Sequence, residues 1–214
     1  MFPIYDSIKT SRFPYVNTFF IILCVYVFIQ EIIVPDPGVF IEQYALIPSQ
    51  VDFGHPASLM PFVSAIFLHG GLLHIISNMW FLYIFGDNVE DALPISAYLT
   101  LFLGAGVIGN LVQYLFMPLS MVPMLGASGA VAGILGCYYV LFPHAKVKTL
   151  VFILFFVTLI NVSAPIMLGY WFILQLFSGA GSLQSLQSGQ GGVAFFAHIT
   201  GFVVGLIVGK MYKK

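Results

Sequence analysis

Three stretches of this sequence carry side chains able to do chemistry within otherwise apolar surroundings. In His69-Gly70-Gly71-Leu72-Leu73-His74-Ile75-Ile76-Ser77-Asn78, a spacing of four places His74 and Asn78 on one helix face, able to point at one interior spot. In Gly126-Ala127-Ser128-Gly129-Ala130-Val131-Ala132-Gly133, a serine opens a helix rich in small residues, where free backbone N–H groups gather. In Ala197-His198-Ile199-Thr200-Gly201, a lone histidine stands above glycines that recur every four residues, at 201, 205 and 209. A serine so placed can act as a nucleophile if a base takes its proton, and the developing oxyanion would meet the helix N–H donors. Each stretch alone also reads as ordinary structure: a hydrogen-bonded packing pair, a serine N-cap, and a histidine satisfied by a neighbouring helix.

The elements that must hold these residues are set by composition. Of 214 residues, 60% are apolar and 7% charged, with 22 Phe, 11 Tyr and 8 Met, and the mean hydropathy is +1.01. Soluble domains carry roughly 25% charged residues. Too few polar side chains remain to cover a compact surface in water, so lipid must cover it. A net charge of -1 gives no basic excess to attract nucleic acid. The two cysteines, Cys24 and Cys137, lie inside apolar runs, which argues against a disulfide framework or a cysteine metal site.

Hydrophobic windows long enough to span a bilayer recur at about 16 to 34, 62 to 85, 94 to 116, 128 to 142, 149 to 171 and 193 to 209. The expected fold is an all-α membrane protein with six transmembrane helices, one domain over 1–214. Residues 1–15 form a cytoplasmic N-terminus, because all seven Lys and Arg fall on one side: Lys9 and Arg12, Lys146 and Lys148, then Lys210, Lys213 and Lys214. With six spans both termini are cytoplasmic, and a prokaryotic inner or plasma membrane is the expected location. The outer segment 35–61, punctuated by Pro35, Pro37, Pro48, Pro56 and Pro61, predicts short interfacial helices and turns. The Gly, Ser and Gln segment 178–192 predicts a flexible outer loop.

Depth arithmetic brings the three stretches to one level. At ~1.5 Å per residue, Ser128 lies ~21 Å above Phe142, His198 ~16 Å above Gly209 and His74 ~16 Å above Phe85. Small residues Gly129, Ala132, Gly133 and Gly136 can meet the glycines of the last span, so that Ser128 and His198 come within hydrogen-bond reach. The fourth window is too short to cross alone, so the segment before it must dip into the protein, where it lines a wet pocket.

The runs FLHGGLLHIISNMWFLYIFGDNVED, GASGAVAG and AHITGFVVG resemble, in order and spacing, motifs of the rhomboid intramembrane serine proteases, over roughly residues 40 to 210. The resemblance implies a six-helix rhomboid-like bundle with Ser128 as nucleophile and His198 as general base, in a dyad without aspartate. It further implies His74, Asn78 and the backbone N–H of Ser128 as oxyanion donors, no metal or cofactor, and transmembrane protein substrates cut near their outer ends. The chain departs from some members at Ala132, where they place an aromatic ring against the histidine, and in lacking a Trp-Arg pair within 35–61.

Other readings remain: a catalytically inactive relative that binds membrane proteins without cutting them, or a small transporter with broken helices. Zinc proteolysis lacks its HExxH motif, and aspartyl proteolysis lacks paired intramembrane Asp. His55 and His144 read as loop residues, and His69 as a hydrogen-bond partner of the first loop. Asp87, Glu90 and Asp91 read as an acidic turn that caps helix ends. Pro165 and Gly169, expected in the outer half of the fifth span, suggest that this span tilts to admit a substrate helix.

Overall fold

The computed structural model describes residues 2–153, 156–185 and 194–213. The chain is mostly helical: α1 (Tyr15–Ile33), α2 (Pro37–Tyr44), α3 (Pro61–Ser64), α4 (Leu72–Ala92), α5 (Ile95–Phe116), α6 (Ser128–Leu141), α7 (Ala164–Ser185) and α8 (Phe195–Tyr212). Three strands accompany them: β1 (Phe2–Asp6), β2 (Lys146–Ile153) and β3 (Phe156–Ser163). Among the described residues, α1, α5 and α8 are each long and apolar enough to cross a membrane. A fourth candidate is the pair Pro56–Phe67 and α4, bent by 76° at the break between them. The expected count of six crossing helices is not reached on length and apolarity, since α6 and the apolar stretch Ala164–Leu174 of α7 are shorter.

Helix α6 is the axis of the core. Residues Gly129 to Cys137 are all buried along it, as is Tyr138. The small residues of α6 and the glycines of α8 bring the two backbones into direct contact. A Cβ on Gly205 would fall on the Gly133 carbonyl oxygen, and one on Gly136 on that of Phe202. Close approach of this kind is what small residues at four-residue spacing permit. Fourteen residues long, α6 depends on the preceding segment reaching inward, and this it does. Met124 pairs with Leu46 in an isolated antiparallel bridge, Gly126 N–H donates to the Ala65 carbonyl at 2.8 Å, and Ala127 is fully buried.

The fold is not all-α. Within the window 149–171, expected as the fifth transmembrane helix, the described residues form two paired strands followed by the start of α7. Strands β2 and β3 pair antiparallel from Lys146 opposite Ser163 to Ile153 opposite Phe156. Strand β1 adds to the other edge of β2, with Pro3 opposite Thr149 and Asp6 opposite Val147. The cause lies in the residue types: Val147, Thr149, Val151, Val157, Thr158, Ile160 and Val162 are β-branched, and alternate ones, Val147 and Thr149, are fully buried. Hydropathy alone cannot separate such a run from a helix.

Two expectations shift with it. Pro165 and Gly169 lie in the first two turns of α7, next to the lysine-bearing strand, rather than in an outer half. A proline in the first turn removes no helical hydrogen bond, so it gives no reason for a kink there. Of the segment 178–192, residues 178–185 continue α7, and 186–192 fall outside the described residues.

Asp87, Glu90 and Asp91, expected as an acidic turn that caps helix ends, lie in the last turns of α4 itself, and of the three Glu90 caps a helix. The Glu90 carboxylate accepts from Val16 N (3.1 Å) and Asn17 N (2.7 Å) at the start of α1, while Asp91 accepts from Ser11 N at 2.8 Å and faces Arg12 Nε at 3.3 Å. One turn deeper, Tyr98 OH donates to Asn17 Oδ1 at 2.8 Å and Asn17 Nδ2 donates to the Leu82 carbonyl at 3.1 Å.

Candidate active site

Three helices begin at one place. Ser128 is the first residue of α6, His198 sits in the first turn of α8, and His74 in the first turn of α4. Positive dipole ends of three helices therefore gather there, although first-turn N–H groups of α8 and α4 are already engaged: Phe196 N donates to Gln113 Oε1 at 2.9 Å and His74 N to the Gly71 carbonyl at 3.1 Å. His198 Nε2 lies 2.6 Å from Ser128 Oγ, at hydrogen-bond distance. This follows from the glycine contacts between α6 and α8, which let two side chains on different backbones meet.

His74 and Asn78 are brought to the same spot by the loop that precedes Ser128. Gly126 has φ +123, a conformation that side chains rarely adopt, and a Cβ there would lie 2.7 Å from His74 Nε2 and 3.8 Å from Asn78 Nδ2. The loop backbone thus passes directly beside both side chains. Gly70 N–H donates to His74 Nδ1 at 3.4 Å, which leaves His74 Nε2 as the protonated nitrogen, on the side of Gly126. Asn78 is buried, and its Nδ2 has no acceptor among the described residues. Ser128, His198, His74 and Asn78, named from the sequence, all meet around the start of α6.

Sequence reasoning missed two contributors. The Trp171 ring on α7 lies against His198, ring centroids 6.2 Å apart and planes tilted by 36°, so an aromatic neighbour reaches the histidine from another helix although position 132 is alanine. Tyr170-Trp171-Phe172 is visible as an aromatic cluster in the sequence, but only tertiary packing shows which ring faces the site. The other is Glu31 of α1, buried, whose Oε1 accepts from His69 N at 2.9 Å. His69 was expected to bond the first loop. It is anchored instead by Glu31 and by its Nδ1, 3.2 Å from the Phe67 carbonyl, while its ring meets that of His74 edge-on at 5.2 Å. His55 lies elsewhere, its Nδ1 2.5 Å from Asp52 Oδ2 on an exposed turn. Among the described residues no cluster of His, Cys, Asp or Glu could hold a metal ion.

Residues 56–214 match the Rhomboid domain family, and the chain belongs to that family. It is similar to Rhomboid protein 1, mitochondrial, of Saccharomyces cerevisiae, 29% identical over 82% of this chain and 47% of that protein. It is also similar to two Bacillus subtilis proteins. Identity to the Putative rhomboid protease YdcA is 36% over 36% of this chain and 38% of that one. Identity to the Rhomboid protease GluP is 31% over 59% and 24% respectively. The chain therefore spans less than half the length of these relatives. Their names place relatives in mitochondria as well as in a bacterium, so the expected prokaryotic plasma membrane draws no support from them. The chain is a membrane protein.

Proposed function

We propose that this chain is an intramembrane serine endopeptidase that cuts transmembrane segments of other membrane proteins near their outer ends. The observation that carries this is the 2.6 Å approach of His198 Nε2 to Ser128 Oγ. For the hydroxyl to donate, Nε2 must be the bare nitrogen, with the imidazole proton on Nδ1. As Ser128 Oγ attacks the scissile carbonyl carbon, its proton passes to Nε2 and the carbonyl π electrons move onto oxygen. The oxyanion is held by the N–H of Ser128, Asn78 Nδ2 and His74 Nε2. Collapse of this intermediate expels the amine, which takes the proton from His198. Water then repeats the sequence on the acyl-enzyme. Both termini lie on the cytoplasmic side in this reading, with the site toward the opposite face.

An inactive, substrate-binding relative would have no use for a serine and a histidine in mutual contact, and no internal symmetry suggests a transporter. The test is cleavage of a transmembrane substrate in liposomes together with labelling by a small fluorophosphonate. The wild-type chain is expected to cleave and to be labelled at Ser128, and Ser128→Ala to do neither while keeping its melting temperature. Full cleavage by Ser128→Ala would overturn the assignment.

A further inference from the structure

Strand β3 is the last in a sheet of order β1-β2-β3, so one of its edges is open among the described residues. Two hydrogen bonds fix which residues face that edge. Ala164 N donates to the Ala145 carbonyl at 2.9 Å, and Ser7 N to the Lys146 carbonyl at 2.8 Å. Along a strand of an antiparallel sheet, successive residues bond to opposite neighbours. Ala145 faces β3 and Lys146 faces β1, so Val147 and Thr149 also face β3, and their partners Val162 and Ile160 are bonded inward. Val157, Leu159 and Asn161 therefore turn their N–H and C=O groups to the open edge, where none of them is hydrogen-bonded among the described residues.

The opposite edge of the sheet is closed. Strand β1 carries Pro3, shifts register between Pro3 and Tyr5, and lies against α4, where Trp80 Nε1 donates to the Pro3 carbonyl at 2.7 Å and Asn88 Nδ2 to Asp6 Oδ2 at 3.0 Å. Proline, irregular register and cover are the devices that protect an edge. The sequence of β3, FVTLINVS, has no proline and no charge, and its pairing with β2 is continuous. Val157 is 59% exposed and Leu159 50%. The pairs Leu159–Leu150 and Leu150–Phe2 set Leu159 at the height of Phe2, beside the contact of Pro3 with Trp80. Trp80 is the ninth of the 21 residues of α4, near the middle of a helix ~30 Å long. Unpaired backbone at that depth calls for a partner, because water is scarce there.

The partner that such an edge takes is an extended chain. A second copy inserted the same way round does not supply it. A two-fold axis along the strands sets N–H groups level with N–H groups and carbonyls with carbonyls, whereas a parallel ladder needs a stagger of one residue. We infer that the open edge of β3 is a docking strand for a locally unwound, apolar segment of the membrane protein that this chain cuts, an inference that rests on the function proposed above. Unwinding a substrate helix frees its N–H and C=O groups in hydrocarbon, and Val157, Leu159 and Asn161 offer the matching groups. The uncharged side chains of β3 suit an apolar segment. From Leu159 to Val157 the strand rises ~7 Å, toward the level of His74, which lies ~9 Å above Trp80 on α4. A segment laid on β3 is thus led, already extended, toward the depth of Ser128.

The test uses the full chain with Ser128→Ala in phosphatidylcholine nanodiscs, so that cleavage plays no part. The probe is a synthetic transmembrane peptide of leucine and alanine, with a glycine-rich break in its outer half and a diazirine-bearing leucine beside the break. Irradiation is expected to join the probe to the Phe156–Ser163 segment, and a probe without the break to do so several-fold less. Leu159→Pro removes one outward N–H and no bond to β2, so it should lower that yield several-fold at an unchanged melting temperature. Should Leu159→Pro fail to fold, the Ser128→Ala chain is given a probe whose break is built of N-methylglycine, which lacks the donors of a ladder, and the yield on β3 should again fall several-fold. Undiminished yield with Leu159→Pro or with the N-methylated probe would overturn the docking strand, as would crosslinks confined to helices or joining β3 to β3 of a second copy. Failure of the protease reading looks different: the wild-type chain would neither cleave nor be labelled by the fluorophosphonate, while the crosslinks to β3 persisted.

Discussion

At the scale of single residues, the proposed function rests on four side chains and one glycine that lets them meet. His198→Ala should remove cleavage and fluorophosphonate labelling together, since the neutral serine hydroxyl is a poor nucleophile without a base. Asn78→Ala should lower turnover by roughly 100- to 1000-fold with little change in KM, the loss seen when one oxyanion donor is removed. A raised KM at constant turnover would mark Asn78 as a substrate-binding residue instead. In the proposed mechanism Trp171, whose ring is 6.2 Å from that of His198, serves as a positioning residue. Trp171→Leu should lower kcat about tenfold at unchanged KM, and Trp171→Phe should restore most of it. Equal activity of the Leu and Phe variants would show that the ring itself does not matter.

The helix pairs decide whether those residues can meet at all. Gly205 of α8 and Gly133 of α6 leave no room for a side chain between them, so Gly205→Ala must push the helices apart. A loss of about 1–3 kcal/mol is expected from such overpacking. Because Ser128 and His198 ride on these helices, labelling should fall more steeply than stability, and the two are measured together by melting and labelling rate. Glu90 is the corresponding device at the start of α1. Its carboxylate accepts from two backbone N–H groups, at Val16 and Asn17. Glu90→Ala would leave both without their partner at a cost of about 1–3 kcal/mol, and Glu90→Gln should recover part of it. Chemical denaturation in detergent reads the difference.

For the molecule as a whole, the question is how a substrate helix reaches the site from the side. The Phe81 ring of α4 meets the Trp171 ring of α7 at 6.5 Å, whereas Trp80 is engaged with Pro3 and Phe172 stacks on Phe202 at 4.6 Å. Phe81 and Trp171 are therefore the aromatic contact joining α4 to α7, while the sheet fills the space nearer the basic end. If substrates pass between these helices, Phe81→Ala should raise the rate on a transmembrane substrate and leave labelling by a small reagent unchanged. An unchanged or slower rate on the transmembrane substrate would move lateral access elsewhere.

The sequence by itself singled out the candidate residues that the structure brings together. Ser128, His198, His74 and Asn78 are polar residues in apolar runs, and their spacing and helix rise are local quantities. The match between α6 and α8 was legible for the same reason, since small residues every fourth position write a close-packing face into each helix separately. Only the tertiary structure decided that Lys146–Ile153 and Phe156–Ser163 are paired strands. Their β-branched apolar runs suit either state, and the strand state depends on Pro3 and Asp6 pairing with Thr149 and Val147 from far away in the chain. The same holds for Trp171 beside His198 and Glu31 beside His69. Each contact joins two helices whose relative rotation no local pattern records, because that rotation is fixed by packing summed over the whole bundle.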